Sequence, residues 1–203
     1  MQSWFMNGRY MLTRDGHYLV ASSYRALLQN GGKLECHDLI WGKLLQPKHR
    51  FILWLVAQKK LLTKDRMLGM GIVCDSANCV LCDKDELEDH THLFVQCEWA
   101  RAVWRDIEQW MGEQIPQQDT MGTLKYIKRR HWCKMKREVI AAIHGSLIYF
   151  TWQARNWKIF RGISVHTDRV IQQIQSVLRE RIGMFIGSKE AGKCIGFLEK
   201  LCY

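Results

Sequence analysis

Residues 79–97 constrain this chain more than any other stretch, reading C-V-L-C-D-K-D-E-L-E-D-H-T-H-L-F-V-Q-C. Cys79 and Cys82 stand two residues apart, and His92 is followed five positions later by Cys97. Three thiolates and one imidazole make a complete tetrahedral zinc shell. The short gap between the first two cysteines lets a tight turn aim both sulfurs at one point about 2.3 Å away, and the spacing of His92 to Cys97 lets one helical turn present the second pair. Four protein ligands leave no position open for water or substrate. A zinc ion held this way is structural, and its binding contributes directly to folding. His90 competes with His92 for the fourth position, although His92 has the spacing to Cys97 seen in short knuckles. Cys74 is a weaker spare that reads as a small buried hydrophobe.

The rest of the 203-residue chain is 47% hydrophobic and 25% charged, enough for one core or two small ones. Nine Trp against two Pro favour a helical, aromatic-rich core over a sandwich. No apolar run reaches the roughly 18 residues of a membrane span, and no charged-then-apolar leader opens the chain. These features predict an intracellular protein, nuclear or cytoplasmic, with no membrane partner. In a reducing compartment cysteine spacing points to metal before disulfides, and Cys36, Cys133, Cys194 and Cys202 read as free thiols.

The formal charge is +10, unevenly spread. Residues 123–161 carry ten basic side chains against one acid, whereas residues 75–108 carry three against nine. Phosphates are thus repelled from the metal segment and drawn to its flanks. The candidate nucleic-acid face is Lys125, Lys128, Arg129, Arg130, Lys134, Lys136 and Arg137, with Tyr126 and Trp132 available to stack on unpaired bases. A solvated helix face with a charge excess is the plainer reading of the same run, and 128–137 also resembles a nuclear address. Arg155-Asn156, between Trp152 and Trp157, suits a structural hydrogen-bonding role.

Along the chain, 16–20 is a β-like run entered through Asp15-Gly16, part of an expected N-terminal hairpin, and Ser22-Ser23 opens a short helix. Asp38 caps another short helix. Pro47 fits the first turn of the next, 48–61, which is apolar nearly all round and expected to be buried. Residues 98–111 are amphipathic, with Trp99, Val103, Trp104, Ile107 and Trp110 at helical spacing. Cys97 therefore stands at a helix start, where the dipole is expected to lower its thiol pKa. Trp41, Trp54, Trp99 and Trp104 read as core. Residues 134–161 form one long helix, and 166–186 a last amphipathic one. The fold expected is mainly α: a zinc-knuckle domain over 1–112 with a short N-terminal β-hairpin, a linker over 113–122, and a basic helical C-terminal region over 123–203.

No glycine-rich phosphate loop, nucleophile elbow or acid/base carboxylate pair is present. The carboxylates gather at Asp83, Asp85, Glu86, Glu88 and Asp89, where repulsion and solvation suit a loop. Neither catalysis nor a small-molecule substrate is expected.

Several ordered motifs together resemble one family. I-W-G-K-L-L-Q-P-K-H-R-F-I-L-W-L (40–55), L-L-T-K-D-R-M (61–67), C-V-L-C, H-L-F-V-Q-C and Val103-Trp104 are similar to the zinc-binding domain that follows the polymerase in plant LINE-type (non-LTR) retrotransposon reverse transcriptases. The lead-in at 16–28 and the W-x-x-R-N-x-x-x-F run at 152–160 extend the likeness to about 16–161. The resemblance implies Cys79, Cys82, His92 and Cys97 as metal ligands, one zinc as cofactor, a grip on RNA or DNA during reverse transcription, and a reverse transcriptase polymerase domain as partner. The chain has no adjacent Asp-Asp pair, so the polymerase's own metal-binding motif is absent. A detached, non-catalytic accessory piece is the expectation.

Overall fold

The computed structural model describes residues 5–6, 9–10 and 34–202. The chain divides into two compact units, Met1–Glu35 and Cys36–Tyr203. In the first, β1 (Phe5–Met6) and β2 (Arg9–Tyr10) pair antiparallel, with Phe5 opposite Tyr10 and Met6 opposite Arg9. The β-like run at 16–20 and the helix after Ser22-Ser23 lie outside the described residues.

The second unit is helical and is built on one long element. Helix α6 (Lys134–Arg161) has 28 residues, about 42 Å at the rise of an α-helix. Ile140, Ile143, Leu147, Phe150 and Ala154 recur three and four apart, no proline interrupts them, and Gly162 ends the helix in the left-handed conformation at φ 67°. Around α6 stand α1 (His37–Ile40), α2 (Pro47–Ala57), α5 (Thr120–Arg129), α7 (Thr167–Gly183) and α8 (Lys189–Gly192). Residues 139–151 of α6 are consequently buried on every side. Gly145 marks the closest approach, since a Cβ there would lie 2.5 Å from Leu45 Cδ2 and 3.1 Å from Leu53 Cδ2.

Helix α3 (Lys64–Gly69) precedes the metal-binding segment and α4 (Glu98–Met111) follows it. Helix α4 buries Ala100, Val103, Trp104, Ile107 and Met111 against α7, α6 and α9 (Ile195–Cys202). Leu198 and Leu201 of α9 are fully buried, each stabilising the fold by roughly 2 kcal/mol through the apolar surface removed from water. The C-terminal tail is part of the core.

Three expectations change. The boundary drawn at 113–122 falls inside one packed unit: Ile115 is buried and its N–H donates to Glu108 Oε1 at 2.7 Å. Asp119 Oδ1 accepts from the Gly122 N–H to cap α5, a helix not foreseen there. Helix α2 is buried on one side only, through Ile52, Leu53 and Val56, while Phe51 is 52% exposed. Trp41, expected in the core, is 48% exposed because α1 stops after four residues and turns it outward.

Candidate metal centre

The ligand loop folds back on itself. The Cys79 N–H donates to the Glu86 carbonyl at 2.8 Å and the Glu88 N–H to the Ala77 carbonyl at 3.0 Å, forming an antiparallel bridge between Asn78 and Leu87. The turn beyond this bridge carries Cys79 and Cys82. The returning strand leads to Asp89, whose Oδ1 accepts from the His92 N–H at 2.6 Å and starts a helical turn. That turn, His92–Gln96, is a π-turn closed by the Cys97 N–H on the His92 carbonyl at 2.7 Å. A π-turn brings residues five apart onto one face, which an α-turn does not, so the spacing of His92 to Cys97 is matched by its backbone.

The donor atoms of Cys79, Cys82, His92 and Cys97 all lie within 4.8 Å of one another. Cys79 Sγ and Cys97 Sγ are 3.9 Å apart, and Cys82 Sγ is 3.4 Å from His92 Nε2. Two thiolates around one tetrahedral ion at ordinary zinc–sulfur length stand about 3.8 Å apart, so the donors fit such an ion. Cys97 is fully buried and His92 nearly so. His92 Nδ1, on the far side of the ring, lies 2.8 Å from Glu86 Oε2, an ion-pair distance without hydrogen-bond alignment. A carboxylate there orients the ring with Nε2 toward the sulfurs, as outer-shell partners of metal-bound histidines do.

The thiols are polarised against one another. The Cys97 thiol and the backbone N–H groups of Leu81 and Cys82 hold Cys79 down to about 5, in spite of its burial. Donation to Cys79 together with burial pushes Cys97 up, and burial also raises Cys82. Cys97 does stand at the start of α4, but the lowering expected from the helix dipole is outweighed by its buried neighbour. An arriving cation replaces the shared proton and favours all three thiolates.

His90 is turned elsewhere: its Nε2 is 3.0 Å from the Leu61 carbonyl and its ring lies beside Phe94. Cys74 Sγ lies 3.8 Å from the Ile72 carbonyl. Neither joins the cluster.

Glu88 escaped the sequence reading. Placed among the acidic residues expected to be solvated, it is fully buried. Its carboxylate receives Arg155 Nη2 at 2.6 Å and Nε at 3.0 Å, and also the Lys64 N–H at 3.1 Å. The ligand loop is thus tied at one point to α3 and α6. The structural role expected of Arg155 offered half the signal, but the partner stands 67 residues away.

The seven basic candidates fall on α5, its end, and the first turn of α6. Lys128 Nζ pairs with Asp38 at 2.8 Å, Lys136 Nζ with Glu113 at 2.5 Å, and Lys134 with Glu138 at 3.8 Å. Arg137 donates to the Lys128 carbonyl at 3.2 Å. Arg130 lies over both Tyr126 and Trp132, at 5.5 and 5.1 Å from the ring centroids, so the two rings already hold a cation. Lys125 is half-buried, and Arg129 and Arg130 are exposed. No helix among the described residues is long and apolar enough to cross a membrane.

Residues 18–104 match the model of a family described as zinc-binding in reverse transcriptase. The match takes in all four clustered residues and ends within α4. No curated protein and no solved structure matches the chain.

Proposed function

We propose that this chain is a non-catalytic accessory module of a plant LINE-type reverse transcriptase, in which Cys79, Cys82, His92 and Cys97 hold one structural zinc ion. The observation that carries the reading is the closed set of three sulfurs and one imidazole nitrogen within 4.8 Å, inside the segment that matches a zinc-binding reverse-transcriptase family. Thiolate-rich tetrahedral sets select zinc, and four protein donors exclude a catalytic open position.

In this reading the corner between α5 and α6 meets the phosphate backbone of RNA or DNA while a polymerase domain works beside it. Lys134, Lys136 and Arg137 crowd the first turn of α6, where the positive end of the helix dipole already disfavours cations, and an anion relieves both. Glu113, Glu138 and Asp38 offset part of that charge, so binding is expected to be modest and salt-sensitive.

Metal analysis of the purified full chain is expected to give one zinc per protein. Cys82→Ser and His92→Ala lose the metal and His90→Ala keeps it; full occupancy in the His92 variant overturns the ligand set. Titration of labelled single-stranded RNA across a salt series is expected to show affinity falling steeply with ionic strength. A zinc-loaded protein that binds no RNA at low salt overturns the nucleic-acid part and leaves a docking module.

A further inference from the structure

A second feature of the unit is unrelated to the metal donors. Between α2, the 60–62 loop, α3 and the C-terminal half of α6 runs a groove of about 670 Å³. Its floor is Ile52, Leu55, Leu61 and Met67, and Trp152 forms part of its α6 side. Phe51, Leu62 and Phe160 stand at its walls, 52%, 45% and 70% exposed. A smaller groove of about 380 Å³ shares Met67, Arg155 and Phe160 with it and continues to Val73, which is 92% exposed. Large side chains are left to water across a contiguous surface, the mark of a site that another molecule covers.

The uncompensated charges lining the larger groove are of one sign, while the smaller groove also carries Asp75. The larger groove is lined by Lys48, Lys60 and Arg155 and by no carboxylate, and Arg155 is already neutralised by buried Glu88. Lys48 and Lys60 are exposed at the rim. An apolar trough with cationic rims is complementary to an apolar stripe with acidic flanks.

The chemistry of the floor separates helix from nucleic acid. Unpaired bases need free ring faces and polar partners for their edges. Here His49 stacks on Tyr149 at 4.3 Å with Lys48 5.0 Å from the same ring, and Phe51 leans on Trp54 at 5.9 Å. Ile52, Leu55, Leu61 and Met67 offer no hydrogen-bond donor for a base edge, and of the polar side chains that line the groove Arg155 is bonded to Glu88 and to Asn156 Oδ1.

We propose that this groove receives an amphipathic helix of a partner protein, its bulky aliphatic residues at i, i+3 or i+4, and i+7 on the floor and its Asp or Glu residues facing Lys48 and Lys60. The site is separate from the basic corner of α5 and α6, and neither depends on the other for binding. Its position is fixed on the α6 side, because Arg155, which lines it, is held by Glu88 from the ligand loop.

Fluorescence anisotropy on the full chain tests the proposal with two labelled synthetic helices of about eighteen residues, roughly 27 Å long. Both carry the same leucine stripe, one flanked by Glu and the other by Lys. The Glu-flanked helix is expected to bind and the Lys-flanked helix to bind much more weakly. Leu62→Asp and Phe160→Asp, at exposed positions that leave the core intact, are expected to weaken binding roughly tenfold or more, as loss of an anchor does. The Lys48→Glu/Lys60→Glu double variant is expected to exchange the preference between the two helices. Absence of binding by either helix, or equal binding unaffected by these substitutions, overturns the proposal. Labelled single-stranded RNA that binds the wild-type chain and is lost in Phe160→Asp would instead assign the groove to bases and also overturn it. RNA binding unchanged in that variant supports two separate surfaces.

Discussion

Glu88 shows how much one buried charge organises. Its carboxylate joins the metal loop to α3 through the Lys64 N–H and to α6 through Arg155, with both side chains almost wholly out of water. Breaking such a pair from one side strands the other charge, so Glu88→Gln is expected to lower unfolding free energy by about 3–5 kcal/mol. The denaturant midpoint measures this, and the double variant Glu88→Gln/Arg155→Met is expected to recover part of the loss. The four clustered positions were legible because a metal-ligand pattern is written in residue type and spacing. Glu88 was not, because an acid in an acidic run reads as solvated, and only the bridge between Asn78 and Leu87 turns this one inward. Spacing to Cys97 ranked His92 above His90, and in three dimensions His92 lies with the sulfurs while His90 is turned to the Leu61 carbonyl.

Among elements, α6 was the easiest to read and the ligand loop the hardest. An apolar stripe from Ile140 to Ala154 on a 28-residue helix ended by Gly162 leaves little choice of conformation, and the helix bounds agree with those expected from sequence. Helix α5 was hidden by its charges: Leu124 and Ile127 form a short apolar stripe among lysines and arginines, too brief for periodicity to register. The loop has almost no regular backbone of its own, and its order is expected to come from the metal. Chelation of the zinc-loaded chain should therefore raise hydrogen exchange at the Cys97 and Arg101 amides, which bond to the His92 and Cys97 carbonyls. The amides of residues 139–151 should keep their protection. Loss of protection throughout α6 at the same rate would show instead that the metal supports the whole unit.

At the scale of the whole molecule, two neutral histidines lie in the core. Burial lowers His144 to about 4, and both its ring nitrogens lack a partner beside Trp104. His49 is lowered to about 4 by burial and by Lys48, with Nδ1 3.1 Å from Ser146 Oγ. Both folded values lie below the unfolded 6.5, so as pH falls from 6.5 toward 4 the unfolded chain takes up protons that the folded chain refuses. Stability is expected to be complete above pH 6.5 and to decline below it, by up to roughly 3 kcal/mol for each histidine, as denaturant titrations at pH 7 and 4.5 would measure. His144→Phe should flatten that slope.

The pairing of Glu88 with Arg155 also bears on where the chain can be cut. The stretch that matches a known family closes at residue 104, partway along α4, whereas the counter-charge for its buried carboxylate sits on a helix that begins at Lys134. The stretch that matches the family model and the span that buries Glu88 are therefore different lengths of the same polypeptide. Cut before α6, the matching stretch would leave the Glu88 carboxylate without its arginine.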